Sequence, residues 1–337
     1  MRIGVNPEKE NNKLDLESYH RVVIPVYIPN LEENYFKDGL TIFKLCIESL
    51  SYTIHNKTRI SLIDNGCCEE VQDYLKELYN GLEEVDQLLH SKINLGKVNA
   101  IYSAVKSNLE PLITISDADV MFLPNWQNNV EGILKDFPES GMVSPVPSSL
   151  GYKSEFVNST IYYGIFKGKI QFEDVVNPEG LIKFQESISR EMYNKTHLEK
   201  YLTVSNSQNS AVIGCGHFVA TLRAEVFKSA PPEVCQHKIV GGSENRYFDL
   251  PNDKAGFLRL ATKGNYAYHL GNAFEPWMRE KIDKILTQPK ETQALSQLPD
   301  AKPLSKFQFK IGKLLRKILF FKFKSFYFKI KGVKTKY

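Results

Sequence analysis

The chain has 337 residues, with 43 basic and 39 acidic side chains and a net charge of +4. Hydrophobic residues at 42% and charged residues at 24% are typical of a globular protein with a sizeable core, and they exclude a disordered or membrane-embedded chain. Residues 302–337 hold twelve basic residues and no acidic one, which leaves a net charge of −8 on the rest. An acidic body with one basic end argues against a nucleic-acid-binding protein.

The cysteines and the first residues indicate the cellular compartment. Five cysteines are an odd number and lack the spacing of a zinc site, so we expect reduced thiols. Residues 1–20 are polar and contain no apolar stretch of the kind that directs export. No uninterrupted apolar run reaches the length needed to cross a membrane. These features favour a cytoplasmic protein whose folded part begins after residue 20.

Strands and helices alternate in the first half of the chain. Short β-rich runs at 21–27, 59–63, 112–116 and 141–144 predict strands. Apolar residues at helical spacing predict four helices, at positions 40, 43, 47 and 50; 71, 74, 75 and 78; 98, 101, 102 and 105; and 126, 130, 133, 134 and 137. Asp38 is available as a cap for the first helix, and the residues before Asn94 are predicted to be a polar connection. This alternation predicts an α/β fold with a mostly parallel central sheet flanked by helices.

The second half is less regular. Between about residues 150 and 209 the periodicity is lost, apart from a predicted helix at 178–199, and we expect this region to cover a site or support an acceptor pocket. Periodicity returns at 211–227, and 267–272 closes the body. We therefore predict a catalytic domain at 21–275, with a nucleotide-binding half at 21–149 and an acceptor and sugar half at 150–275. A linker at 276–301 and a basic tail at 302–337 follow.

Polar residues follow three of the predicted strands. Pro25 to Tyr27, Asp64 with Asn65, and Asp117-x-Asp119 stand at successive strand ends, where parallel sheets bind ligands. Side chains alternate along an extended chain, so both aspartates point the same way, and a divalent cation would relieve their repulsion. Two solvated aspartates are the alternative. The chain contains neither Gly-x-Gly-x-x-Gly nor a phosphate-binding Gly-x-x-x-x-Gly-Lys loop, which disfavours dinucleotide-dependent oxidoreductases and P-loop nucleotidases.

The order of these motifs resembles the family 2 glycosyltransferases, which have the GT-A fold and use nucleotide-sugar donors. The resemblance covers about residues 20–272 and rests on six segments: 22–27, 63–66, Asn94-x-Gly96-Lys97 with Asn99-Ala100, Ser116-Asp117-Ala118-Asp119, Gly214-x-Gly216 with 223–227, and Glu244 twelve residues before Gly256 with His269-Leu270-Gly271 behind it. One departure concerns the Glu-Asp pair of the family, which is Glu244-Asn245 here.

The resemblance implies a role for each matching residue. The metal ligands would be Asp117, Asp119 and His269, and hard oxygen ligands suit Mn²⁺ or Mg²⁺. The implied contacts to the nucleotide sugar are Pro25, Tyr27, Asp64, Asn65, Lys97, Asp117, Ala118 and Gly216. Glu244 is the predicted base for the acceptor hydroxyl. Since Asn245 replaces the second carboxylate, another acid such as Asp249 is an alternative base. The remaining alternative is that turnover is impaired.

Several of these residues also have an ordinary structural interpretation. Asp64 in Asp-Asn-Gly is a common turn former, and Glu244 is an acid that suits the start of a helix. His269 can be a hydrogen-bonded structural histidine, and Lys97 a solvated residue at a helix start. His217 is interpreted as structural.

The basic tail combines lysines with aromatic residues. Between 310 and 319, the apolar residues at 311, 314, 315 and 318 share one helical face. A basic amphipathic helix of this kind is typical of contact with an anionic membrane surface. The alternative is a tail that packs on the body or pairs with another chain.

Together these features predict a metal-dependent, inverting glycosyltransferase at the inner face of the cell membrane. It would move a sugar from a UDP- or GDP-sugar to a cell-surface glycan or a lipid-linked acceptor, with no nucleic-acid partner. A nucleotidyltransferase is an alternative, but it needs a basic loop after the first strand, and residues 30–33 are acidic. A catalytically silent homologue that binds a nucleotide sugar or a partner transferase is the other alternative, because of Asn245.

Overall fold

The computed structural model describes residues 3–9, 14, 16–239, 242–290, 292–333 and 337. Parts of the predicted N-terminal extension (1–2, 10–13 and 15) and of the predicted tail (334–336) lie outside these ranges, as do Gly241 of the glycine pair before Ser243 and residues 240 and 291. Among the described residues, none of the helices combines the length and the apolar composition needed to cross a bilayer.

The fold is built on one large mixed sheet. Across the described residues the strands are β1 His20–Val26, β2 Thr58–Asn65, β3 Val85–Ser91, β4 Leu112–Ser116, β5 Val120–Phe122, β6 Ser140–Ser144, β7 Lys169–Asp174, β8 Lys200–Ser205, β9 Ser210–Ile213, β10 Val219–Arg223, β11 Leu258–Ala261 and β12 Ala267–His269. Ten of them form a sheet in the order β3-β2-β1-β4-β10-β6-β11-β9-β8-β7, and β12 pairs with β5 in a second sheet.

The strand directions confirm the prediction of a mostly parallel sheet. Strands β3, β2, β1 and β4 are parallel to one another, and β6 and β11 are a further parallel pair. Strands β10, β9 and β7 run antiparallel to their neighbours, so seven strands of the ten in the described sheet share one direction. The carboxyl ends of β1, β2 and β4 therefore meet at one edge, which places the three predicted polar strand ends together.

Helices cover the sheet on its two faces. In chain order they are α1 Gly39–Thr53, α2 Glu69–Gly81, α3 Lys97–Val105, α4 Trp126–Asp136, α5 Asn158–Phe166, α6 Pro178–Ser187, α7 Lys195–Glu199, α8 Ala224–Phe227, α9 Leu250–Lys254, α10 Pro276–Leu286, α11 Lys306–Lys317 and α12 Lys324–Ile330. The first four confirm the helices predicted from apolar spacing. Asp38 stands at the N-cap of α1, but its side chain makes no cap bond and instead accepts from Phe274 N at 2.9 Å, so its predicted role is wrong.

The predicted polar connection before Asn94 is wrong, because it contains β3. This strand lies at the edge of the sheet formed by the described residues, where it pairs with β2. Val85 is its one fully buried residue, and Asp86 and His90 are exposed. An edge strand with one buried position carries too weak an apolar pattern to be recognised in the sequence.

Residues 150–209 are more regular than predicted, because they contain α5, β7, α6, α7 and β8. Helix α5 lies between the sheet and α11, so most of its residues are buried and no polar face marks it. The helix predicted at 178–199 is interrupted: α6 ends at Ser187, and α7 begins at Lys195 with an Asn194 capping box. Burial on two sides thus removed the pattern on which the prediction depended.

The predicted linker and the predicted free tail both pack on the body. Helix α10, in the predicted linker 276–301, packs against α1 through Met278, Ile282 and Ile285. Helix α11 packs on α5, where the Arg316 Nε donates to Asn158 Oδ1 at 2.8 Å. The tail that packs on the body, given above as the alternative, is therefore the one observed for the described residues.

Candidate functional site

The predicted metal ligands lie where β4 ends. All five residues of β4 are buried, and the chain leaves the strand at Asp117, whose N–H donates to Phe218 O at 2.8 Å. After Asp119, strand β5 pairs with β12 and sets His269 opposite Val120. Leu270 N also donates to Asp119 O at 2.8 Å. Pairing between strands distant in sequence thus brings His269 to the two aspartates.

This group has the geometry of a cation site. Ligand atoms of Asp117, Asp119 and His269 all lie within 4.8 Å of one another. His269 Nε2 is 3.5 Å from Asp119 Oδ2, and its Nδ1 is 3.0 Å from Ser187 Oγ, which fixes the orientation of the ring. Asp119 Oδ1 is buried and has no hydrogen-bond partner among the described residues. Since an unpaired buried carboxylate oxygen is costly, the donor set fits a divalent cation such as Mn²⁺ or Mg²⁺.

The surroundings of Asp119 change the pKa of its carboxyl group. Its pKa is raised to about 6, mainly by burial and also by the charge of Asp117, while His269 acts in the opposite direction. A bound cation favours the ionised carboxylate, because it replaces the lost water as a partner for the negative charge.

Lys97 joins the metal group to Glu244. Gly96 precedes α3 with φ of +82°, and a Cβ there would lie 2.8 Å from Lys238 Cα, so only glycine fits this turn. Lys97 Nζ contacts Asp117 Oδ1 and lies 2.5 Å from Glu244 Oε1. Burial lowers the pKa of the ammonium, but the two carboxylates outweigh burial and hold it above its usual value. The prediction of a solvated Lys97 is therefore wrong, and the ammonium stays charged inside the site.

A cavity of about 610 Å³ opens beside this group. Lys97, Asp117, Gly216, Glu244 and His269, all predicted as site residues, line it. Residues of the segment 146–156 and of the end of α6 complete the lining, and most of them belong to the region 150–209, which was expected to cover a site. The size suits part of a small-molecule ligand.

Asp249, His217 and Arg259 form a cluster in the lining of this cavity. Asp249 is 1% exposed, and its Oδ1 lies 2.9 Å from an Arg259 nitrogen. His217 Nδ1 is 3.2 Å from Asp249 Oδ2. The sequence suggested only Asp249 as a substitute base and treated His217 as structural. Arg259, a single cation in an otherwise apolar strand, was missed, although a buried arginine requires an acidic partner.

The glycine turn between β9 and β10 forms part of the cavity. Gly214 has φ of +100°, and a Cβ there would lie 2.6 Å from Gly151 Cα. Gly216 lines the cavity, but a Cβ there would meet only the Phe218 ring, at 3.7 Å. The need for glycine is therefore strict at 214 and weak at 216.

The ends of β1 and β2 lie at the same edge of the sheet, outside the lining of this cavity. Asp64 is 2% exposed, and its Oδ1 accepts from Gly66 N at 3.1 Å and Cys67 N at 2.8 Å, which is the turn role given as its alternative. Asn65 Oδ1 accepts from Leu95 N at 2.8 Å. Tyr27 is 41% exposed. For these residues, and for Pro25 and Ala118, contact with a nucleotide stays a prediction.

Comparison with known proteins gives distant overlaps. No protein-family model matches the chain, and no curated protein matches it. Among solved structures, the chain is similar to the mannosyltransferase PcManGT from Pyrobaculum calidifontis in complex with GDP-Man and Mn²⁺, with 13% identity and a TM-score of 0.43 over 72% of this chain and 54% of that one. It is also similar to S. aureus TarS 1–349, with 11% identity and a TM-score of 0.42 over 91% and 74% of the two chains.

A second TarS structure, in complex with UDP, overlaps with 13% identity and a TM-score of 0.31 over 38% of this chain and 35% of that one. The chain spans about half the length of the mannosyltransferase that it matches. These overlaps assign neither an activity nor a ligand to this chain.

Proposed function

We propose that the chain is a metal-dependent glycosyltransferase with a nucleotide-diphosphate sugar as its donor. The observation that supports this most directly is the group of Asp117, Asp119 and His269, with an unpaired buried carboxylate oxygen, at the carboxyl end of β4. In α/β sheets this edge binds ligands, and here it opens into a cavity. The donor class, a UDP- or GDP-sugar, follows from the family 2 resemblance.

The residues of the site have separable tasks in this proposal. Asp117, Asp119 and His269 would hold Mn²⁺ or Mg²⁺, which when bound acts as a Lewis acid toward the departing diphosphate. Lys97 keeps a positive charge beside Asp117, where the diphosphate would gain negative charge. Phe184 and Phe218 stack at 5.3 Å between ring centroids, and both line the cavity, so they limit the access of water.

Glu244 is the base predicted from the sequence, but its contact with Lys97 weakens the case for that role. Lys97 Nζ lies 2.5 Å from Glu244 Oε1, so the ion pair already engages the oxygen that would have to accept the proton of the acceptor hydroxyl. Glu244 also holds Lys97 in place. Attack from the side opposite the leaving group would invert the anomeric configuration, as the resemblance implies.

The outer face of α11 and α12 supports a membrane-associated acceptor. Six large apolar residues of the described tail are exposed: Phe307, Leu314, Phe321, Phe323, Phe326 and Ile330. The lysines exposed among them are Lys302, Lys306, Lys310, Lys313, Lys317, Lys322 and Lys329. Exposed apolar residues interleaved with cations suit an anionic bilayer surface, so we place the protein at the inner face of the cell membrane, with a cell-surface glycan or a lipid-linked acceptor.

Vesicle sedimentation tests this placement. Phe321→Ser with Phe326→Ser removes two apolar anchors, and we expect binding to vesicles of phosphatidylserine and phosphatidylcholine to weaken by about 10-fold or more, since burying each side chain contributes about 2 kcal/mol. Tyr79→Ser, an exposed aromatic residue of α2, is the matched control. Equal sedimentation of both variants and the wild type would reject the membrane placement.

Nucleotide binding tests the donor site. Isothermal titration with UDP and with GDP, each with and without Mn²⁺, should show tighter binding with the metal. Asp119→Asn should lower that affinity by about 100-fold, because it removes a charged ligand. Asp73→Asn, which changes an exposed aspartate of α2, is the control. If neither nucleotide binds more tightly with Mn²⁺ to the wild type than to Asp119→Asn, the donor site does not exist.

Turnover separates the transferase from the silent homologue that Asn245 suggests. A panel of UDP-glucose, UDP-N-acetylglucosamine and GDP-mannose is incubated with Mn²⁺, and release of the nucleoside diphosphate is measured. A transferase should release it slowly to water even without its acceptor. Binding without any release would identify the silent homologue, and release of a nucleoside triphosphate from the sugar nucleotide with added pyrophosphate would identify a nucleotidyltransferase.

A further inference from the structure

His217 occupies a position in the cavity that neither the metal group nor Lys97 uses. It belongs to the turn between β9 and β10 and lines the cavity together with Asp117 and Glu244. Its side chain is 30% exposed, while the carboxylate of Asp249 behind it is buried. Nδ1 lies 3.2 Å from Asp249 Oδ2. In the part of the chain that the structure describes, no hydrogen bond is made by the other ring nitrogen, Nε2.

The other acids near the cavity are poorly placed to take a proton. Glu244 is ion-paired with Lys97, and Asp249 is buried and paired with Arg259 at 2.9 Å. Position 245, where the resemblance would put a carboxylate, is Asn245. An imidazole that donates through one nitrogen to a buried carboxylate is oriented by it and presents the other nitrogen as a proton acceptor.

We propose that His217 is the general base for the acceptor hydroxyl and that Asp249 is its positioning residue. This rests on the proposed glycosyltransferase function. The hydroxyl proton passes to His217 Nε2 as the hydroxyl oxygen forms a bond to the anomeric carbon of the donor. The bond from that carbon to the β-phosphate oxygen breaks, and its electron pair leaves with the nucleoside diphosphate. The imidazolium, stabilised by Asp249, then releases its proton to water.

The charges around His217 are compatible with this role. Asp249 faces it from the segment before α9, and Arg259 of β11 is paired with the same carboxylate. Asp117, Lys97 and Glu244 line the cavity beside the metal group, and Lys153 and Glu155 are further charged residues of the lining. His217 Nδ1 is hydrogen-bonded with Asp249 Oδ1 at 3.3 Å, and Arg259 contacts the same oxygen, so the carboxylate orients the ring while it stays paired with Arg259.

Kinetics of donor hydrolysis over about pH 5.5 to 8.5 test the proposal, with saturating Mn²⁺ and water as the acceptor. We expect His217→Gln to lower kcat by about 100-fold or more, with KM for the donor unchanged within about twofold. The decline of kcat toward acid pH should disappear in this variant and remain in Glu244→Gln. Asp249→Asn should lower kcat by about 10-fold and shift that decline. His237→Gln, an exposed histidine that does not line the cavity, should behave as the wild type.

Binding of UDP or GDP with Mn²⁺ is measured in parallel and should be unchanged in His217→Gln, which shows that the variant is folded. His217→Asn replaces it if that variant does not fold. A loss of the acid decline in Glu244→Gln, with the decline intact in His217→Gln, would overturn the proposal and leave Glu244 as the base. Nucleotide binding without turnover in the wild type would also overturn it while the donor site stands. Absence of nucleotide binding would instead reject the proposed function itself.

Discussion

Replacing Glu131 with glutamine should destabilise the protein in a way that depends on pH. Glu131 of α4 is buried, and its carboxylate contacts three side chains: Tyr19 OH at 2.6 Å, His20 Nδ1 at 2.6 Å and His55 Nε2 at 3.0 Å. Burial raises the pKa of the carboxyl group, but the two histidines outweigh burial and lower it from 4.5 to about 2. The ionised form is therefore favoured by the fold.

The pKa shift sets the size and the sign of the effect. A pKa lowered from 4.5 to about 2 corresponds to about 3 kcal/mol of stability at neutral pH. The unfolded carboxyl group binds its proton as the pH falls through 4.5, while the folded one resists down to about 2, so this stability is complete above 4.5 and is lost below it. At about pH 3 only about 1 kcal/mol remains. Glu131→Gln keeps the shape but has no charge to lose.

Urea unfolding at neutral and acid pH measures this difference. Trp126, whose ring lies 6.0 Å from the His20 ring, reports the transition by fluorescence. We expect Glu131→Gln to lose about 3 kcal/mol at pH 7 and about 1 kcal/mol at pH 3 relative to the wild type. Glu280→Gln in the exposed face of α10 should be neutral at both. A loss that is equal at the two pH values would show that the charge of Glu131 does not contribute, and the reasoning would fail.

Three further changes have expected outcomes. Lys97→Met removes a cation that competes with Mn²⁺ for Asp117. In a titration with Mn²⁺ alone, we expect this variant to bind the ion about threefold to tenfold more tightly than the control variant Lys76→Met does. Weaker binding by Lys97→Met would contradict this competition. Gly214→Ala should lower the free energy of unfolding by about 2–4 kcal/mol, because the added Cβ would meet Gly151. Gly216→Ala should lower it by less than about 1 kcal/mol. Equal losses of the two variants in urea unfolding would refute this distinction. Gly312→Ala would place a Cβ 2.1 Å from Asn158 O, so we expect α11 to separate from α5 and the Tm to fall by several degrees. An unchanged Tm in calorimetry would show that α11 shifts to make room for the methyl group.

The sequence predicts best the helices that are buried on one side and the strands that are fully buried. Strand β4 is an unbroken apolar run, and the pair Asp117 and Asp119 after it was found together with His269, because spacing and resemblance agreed. Helix α5 and strand β3 were missed for opposite reasons. The helix is buried on two sides and shows no polar face, whereas the strand has one fully buried residue and shows no regular alternation of apolar and polar residues.

The contacts that escaped prediction are those with a partner far away in the chain. Lys97 stands at a helix start like many solvated lysines, and only the fold brings Asp117 and Glu244 to its ammonium. His217 has no neighbour in sequence that marks it, because its partner Asp249 follows 32 residues later in the chain. Local patterns predict elements, whereas such pairs are known only once the strands are ordered in the sheet.

The position of β10 between β4 and β6 has a consequence for how the chain acquires its fold. Ser116 pairs with Val219, about a hundred residues later, so one edge of β4 stays open until that distant segment arrives. A fragment that stops near residue 149 would expose this apolar edge, and we expect it to self-associate rather than bind a cation. We therefore expect that the predicted nucleotide-binding half does not fold by itself and that the end of β4 becomes ordered only when the whole sheet has assembled.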